Sequence, residues 1–191
     1  MRMRWLGNVA AYTVAGAIAS GLVGGTLATL GMLFLPPDGA VPAMVVALTV
    51  ATAALARELG LPLPLPQPRR QTRDTWAKFP GGPAAGVLWG LDLGLVFTTW
   101  FTFSGVWLLV VLATLAQRPA LGATLFVAYW VGRVLSVWVA PLLAQDAKAL
   151  PQLLAELADD YRLVQVVHVA GLVWAMGVVI VMISRGLATA T

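Results

Sequence analysis

The stretch A84-A-G-V-L-W-G-L-D-L-G-L-V-F-T-T-W-F-T-F-S-G-V-W-L-L-V-V-L-A-T-L-A116 is the longest apolar run in the chain. As one straight helix it would reach about 50 Å at 1.5 Å per residue, against a hydrocarbon layer about 30 Å thick. It must tilt strongly, protrude or break. The place to break is 98–105, where Thr98, Thr99, Thr102 and Ser104 gather among aromatic rings and end at Gly105. Ser and Thr hydroxyls bond back to the carbonyl one turn earlier and bend helices. Inside a bilayer, any backbone group so freed needs a partner. The run therefore predicts a membrane helix that is kinked or broken near 98–105.

Composition extends this reading to the whole chain. Of 191 residues, 60% are apolar and only 10% charged, with mean hydropathy +0.86. A soluble domain carries about 25% charged residues, so this chain lacks the polar surface to cover a water-soluble core. An all-α polytopic bundle in a single membrane domain is expected, with spans at about 8–35, 41–57, 84–116, 120–143 and 163–184. No alternation suggests barrel strands. The first span is too long for the apolar region of a cleaved signal, and its small residues are spread along it.

Orientation follows from where Lys and Arg fall. Arg2, Arg4, Arg57, Arg69, Arg70, Arg73, Lys78, Lys148 and Arg162 lie on one side, and Arg118 and Arg185 on the other. This puts the N-terminus and the Pro/Arg-rich loop 58–82 in the cytoplasm and the C-terminus outside, with a cytoplasmic membrane as the expected location. The pI near 10.1 reflects this topological signal, and no nucleic-acid partner is expected. With no cysteine and a single histidine, His168, thiol chemistry, thiolate metal sites and haem held by two histidines of this chain are excluded. No cofactor is expected.

Small residues at fourfold spacing mark close helix contacts, since they let backbones approach where the hydrophobic effect gives no drive. Gly16, Ser20 and Gly24 form one such row, Ala17, Gly21 and Gly25 a second, and Gly86, Gly90 and Gly94 a third. Two charges lie within spans, Asp92 and Arg133. Both fall at similar depth on antiparallel segments, and an unpaired charge there costs at least about 2.5–3.5 kcal/mol, so pairing is expected. Helical spacing adds Thr99 to the stripe of Asp92, and Tyr129 and Ser136 to that of Arg133, outlining a polar seam. It reads either as a structural ion pair or as a solute or proton path. His168 reads as an interfacial or packed residue, or as a proton relay. Trp5, Trp76 and Trp89 suit an aromatic belt, and L61-P-L-P-L-P-Q-P-R-R70 a short stiff spacer.

The order of these features resembles the transmembrane region of the CcdA/DsbD family, which carries reducing equivalents across bacterial membranes for cytochrome c maturation and related thiol pathways. The most specific part is 86–105. There the family has a glycine-rich entry, a tryptophan, a Pro-Cys pair, then a small residue and glycine. Trp100, Ser104 and Gly105 match, whereas Thr102 and Phe103 stand at the Pro-Cys positions. L121-G-A-T-L-F-V-A-Y-W-V-G132 resembles the family's next helix, and the family's first helix, with its partner cysteine, has no counterpart here. Thiol exchange needs a thiolate, so the resemblance implies a shortened member unable to shuttle electrons.

Three functions follow as expectations. The first is a non-catalytic scaffold or accessory subunit of a membrane complex, concerned with redox-protein maturation. It would hold a protein partner or a second copy of itself within membrane lipid. The second is a small-solute or ion permease using the seam around Asp92, Arg133 and 98–104. The third, an enzyme acting on a lipid or quinone, lacks an acid–base pair and ranks last, so no catalytic residue is expected.

Overall fold

The computed structural model describes residues 2–36, 40–64, 66, 81–98, 103–143 and 161–188. The described residues form six helices and no strand: α1 (Arg2–Phe34), α2 (Ala40–Glu58), α3 (Gly82–Gly94), α4 (Gly105–Ala116), α5 (Pro119–Leu143) and α6 (Tyr161–Ala188). The run 84–116 is thus broken. Its helix ends at Gly94 and resumes at Gly105, so the interruption starts a few residues before 98. Among the described residues two helices are long and apolar enough to cross a membrane, Trp5–Phe34 within α1 and Pro119–Val139 within α5. Gly105–Ala116 and Gln165–Val181 are apolar but shorter.

α1 is the axis of the structure, and glycine decides what lies against it. The glycines of α3 meet successive turns of α1. A Cβ at Gly86 would lie 2.4 Å from Asn8 O, one at Gly90 2.4 Å from Tyr12 O, and one at Gly94 2.6 Å from Gly16 O. Equal steps on both sides mean that α3 runs parallel to α1. Further along, a Cβ at Gly31 would strike the carbonyl of Thr114 in α4. Fifteen residues of α1 separate Gly16 from Gly31, whereas twenty separate Gly94 from Thr114. α3 and α4 therefore follow α1 as one interrupted rod, and the interruption absorbs the surplus. α5 runs antiparallel on another side of α1, with Gly122 against Gly24 and Trp130 against Gly16.

α2 packs on α4 and α6. Ala47, Ala51 and Ala54 of α2, Leu108 of α4 and Leu172 of α6 make one buried cluster. Gly60 decides where α2 stops. It has φ 101, and the amides of Gly60 and Leu61 bond back to Arg57 O and Ala56 O, both at 3.0 Å. This pair is the Schellman pattern that closes a helix on a left-handed glycine. Prolines at 62, 64 and 66 lack the donors to resume it. The stop places Glu58 in the last turn of α2, its side chain buried.

Candidate functional site at the broken helix

A helix that stops inside a bundle frees carbonyls at one end and amides at the other. On the α3 side the carbonyls find hydroxyls. Ser20 of α1 donates to Gly94 O at 3.0 Å, and Thr98 donates to Asp92 O. The chain then makes a tight reversal. Phe97 N–H donates to Leu95 O at 2.6 Å about Val96, which has φ 61 and is fully buried. A β-branched residue in this region is a true outlier. Such a conformation costs about 1–3 kcal/mol and persists where the surroundings enforce it. Here they do: Val96 packs in a buried cluster with Val106, Ala113 and Phe126.

On the α4 side the amides find a carboxylate and an imidazole. Ser104 N–H donates to Glu58 Oε1 at 2.7 Å, and Gly105 N–H donates to His168 Nε2 at 3.3 Å. Glu58 is anionic where the helix presents its positive end, a favourable placement. The Phe103 ring stacks on the imidazole with centroids 4.6 Å apart. One turn before His168, Gln165 donates its side-chain N–H to Glu58 O at 2.5 Å. Gly105 is glycine for a visible reason, since a Cβ there would come within 2.7 Å of the imidazole. Side chains of α1, α2 and α6 thus close both ends of the break.

The sequence-predicted residues divide sharply. Ser104, Gly105, Phe103 and Thr98 come together at the break, while Thr99 and Thr102 lie outside the described residues. Gly16, Gly24, Gly86, Gly90 and Gly94 are close helix contacts, and Ser20 is both a contact and a hydrogen-bond donor. Asp92 and Arg133 form no ion pair. Asp92 is buried with no hydrogen bond to Oδ2. Ser136 is exposed and bonds its own helix at Arg133 O, 3.0 Å away. The expected pair does not form because α3 and α5 each pack chiefly on α1.

Glu58 is the residue that sequence reading missed. An acid at the end of a span and the start of a charged loop looks solvated, and only the helix-stopping Gly60 two residues on hints at a fixed position. Chemically the arrangement offers a carboxylate and an imidazole that accept from the two amides of the helix restart. Among the described residues no three His, Asp or Glu side chains gather as a metal site. Ser20→Ala is expected to leave Gly94 O unpaired and cost about 1–3 kcal/mol, read as a lower unfolding midpoint in detergent. No family model matches the sequence, and no curated protein or solved structure is significantly similar to it.

Proposed function

We propose that the chain is an integral membrane protein of five spans, with α3 and α4 together forming the third, and that the broken span is the working part of a permease for a small solute or ion. The distribution of side-chain sizes supports the membrane part. Among the described residues small side chains take many of the buried positions, among them Ala15, Ala19, Ala28, Ala47 and Ala51 beside the buried Phe126 and Trp130, while Ile18, Leu22, Leu135 and Trp174 face outward, Trp174 at 73% exposure. A water-soluble bundle buries its large apolar residues; a bilayer reverses the preference, because close backbone packing replaces the hydrophobic drive.

One observation carries the permease reading: a helix interrupted inside the bundle, with its restart held by a carboxylate and an imidazole from two other helices. Ionisable groups within spans are costly and mark sites by default. Discontinuous spans are the usual way to present helix ends to a small solute or ion. Neither a catalytic residue nor a cofactor is assigned.

The second reading, a redox-inactive scaffold resembling the CcdA/DsbD family, is favoured by Phe103. It stands at the family's cysteine position and closes on His168, so the place where relatives work is filled.

Capacitive currents on solid-supported membranes separate the two readings, using purified protein in liposomes and a panel of inorganic anions, divalent cations, amino acids and small carboxylates. The permease reading expects a transient current with one class, lost in the folded double variant Glu58→Gln, His168→Gln. Silence across the panel, together with constant co-purification of one protein, would leave the scaffold.

A further inference from the structure

We propose that His168 and Glu58 form a proton-operated latch that holds the restart of the broken helix to α6 and α2. The latch goes beyond the permease reading. It needs the break and its capping side chains, but not that anything is carried.

The chemistry follows from which atoms donate. Gly105 N–H points at His168 Nε2, so that nitrogen presents its lone pair and the imidazole is neutral, with its proton on Nδ1. A proton taken from the aqueous phase can bind only at Nε2. It takes the lone pair that Gly105 uses, and two donors then face each other where one bond had been. The new cation also sits at the positive end of α4, which disfavours the old position further.

Its anionic partner is already in place. Of the charged groups on the surrounding elements, Glu58 is the one bound at the neighbouring amide, Ser104 beside Gly105. Arg57 lies beside it on α2 and Arg162 on α6. α4 carries no ionisable residue, and Tyr12, Tyr129 and Arg133 lie on α1 and α5. The Glu58 carboxylate has a second oxygen to offer the imidazolium while Oε1 keeps Ser104 N–H, so one proton breaks the bond to Gly105 and leaves the one to Ser104 in place. The bond from Gln165 to Glu58 O involves no titrating atom and keeps α6 on α2 meanwhile. α6 is thus fixed at one turn and releasable at the next.

Two further features fit a built contact. Gly105 leaves room for the imidazole, since a Cβ there would come within 2.7 Å of it, and the Phe103 ring stacks on it. An open pocket of about 830 Å³ is lined by Glu58, Arg162 and Gln165, so the carboxylate side of the latch opens outward.

The chain's single histidine makes the test direct. The full protein in nanodiscs is labelled with ¹⁵N in histidine, and separately with ¹³C-carbonyl serine and ¹⁵N glycine. Only two Ser–Gly pairs exist, Ser20–Gly21 and Ser104–Gly105, so the second sample gives two signals, one at the latch and one as an internal control. As pH falls from 8.5 to 4.5, the histidine signals should pass to the imidazolium pattern. In step with them the Gly105 amide should shift and its corrected hydrogen exchange should quicken about tenfold or more, with Gly21 unchanged. In His168→Gln, whose amide oxygen accepts at every pH, Gly105 should stay protected. An imidazole that titrates without moving Gly105, one that takes no proton over this range, or a Gly105 response that survives in His168→Gln would overturn the latch. The permease reading stands or falls separately, on the currents.

Discussion

Gly24→Leu and Gly122→Leu are each expected to abolish recovery of folded, monodisperse protein from membranes. The two glycines face each other across α1 and α5. A Cβ at 24 would lie 2.2 Å from Gly122 O, and one at 122 would lie 2.3 Å from Gly24 O. What each would strike is backbone, which cannot rotate away as a side chain can. Even alanine requires the helices to part, and parting them also lifts Trp130 from Gly16 and Val127 from Gly21, contacts that share the same seam. Overpacking costs about 1–3 kcal/mol, occasionally more, so Gly24→Ala should lower the unfolding midpoint in detergent and leucine should exceed what the fold tolerates. Gly171 is the control, since nothing lies within 4 Å of its Cβ position. There alanine should be neutral or stabilising, because glycine within a helix costs about 1 kcal/mol relative to alanine. Equal tolerance at Gly24 and Gly171 would mean that α1 and α5 are not in this contact.

The same contact shows why some of the structure can be read from sequence and some cannot. Gly16, Ser20, Gly24, Gly86, Gly90 and Gly94 declare themselves because a helix repeats every 3.6 residues, so a packing stripe is periodic. The break is legible because a length of 33 residues conflicts with the thickness of a bilayer, and hydroxyls beside Gly105 mark where the conflict resolves. Its start is less so. Val96 turns the chain at positive φ, and nothing about an isolated valine announces that.

Side-chain partners are harder still. Asp92 and Arg133 match in depth, but depth says nothing about angle around the bundle, and α1 occupies the space where each might have met the other. The groups that do close the break come from distant segments. Glu58 is 46 residues from Ser104 and His168 is 63 residues from Gly105. Such pairings depend on which helices are neighbours, a property of the assembled fold that no local pattern encodes. Ser20 illustrates the limit within one residue. Its small size predicts the close approach, while its bond to Gly94 O follows only once α3 is known to end there.

Substitutions at Glu58 should form a graded series that separates its hydrogen bond from its charge. Glu58→Gln keeps an oxygen for Ser104 N–H and loses the attraction between a carboxylate and the helix end, worth about 0.3–1 kcal/mol and up to about 2 where partly buried. Glu58→Ala removes the acceptor as well and leaves a buried amide unpaired, a further loss of about 1–3 kcal/mol. Glu58→Lys places a cation against a positive helix terminus at a buried position. Breaking a buried charged contact this way costs about 3–5 kcal/mol, and no folded protein is expected. Unfolding midpoints in one detergent give the order directly, with the parent above Gln, Gln above Ala, and Lys absent. Buried charges, however, are frequently replaced by neutral groups at no loss to the fold. A glutamine variant more stable than its parent would reverse the first step of the series. Stability alone would then fail to explain the carboxylate, and its charge would have to be retained for what it does when His168 takes up a proton.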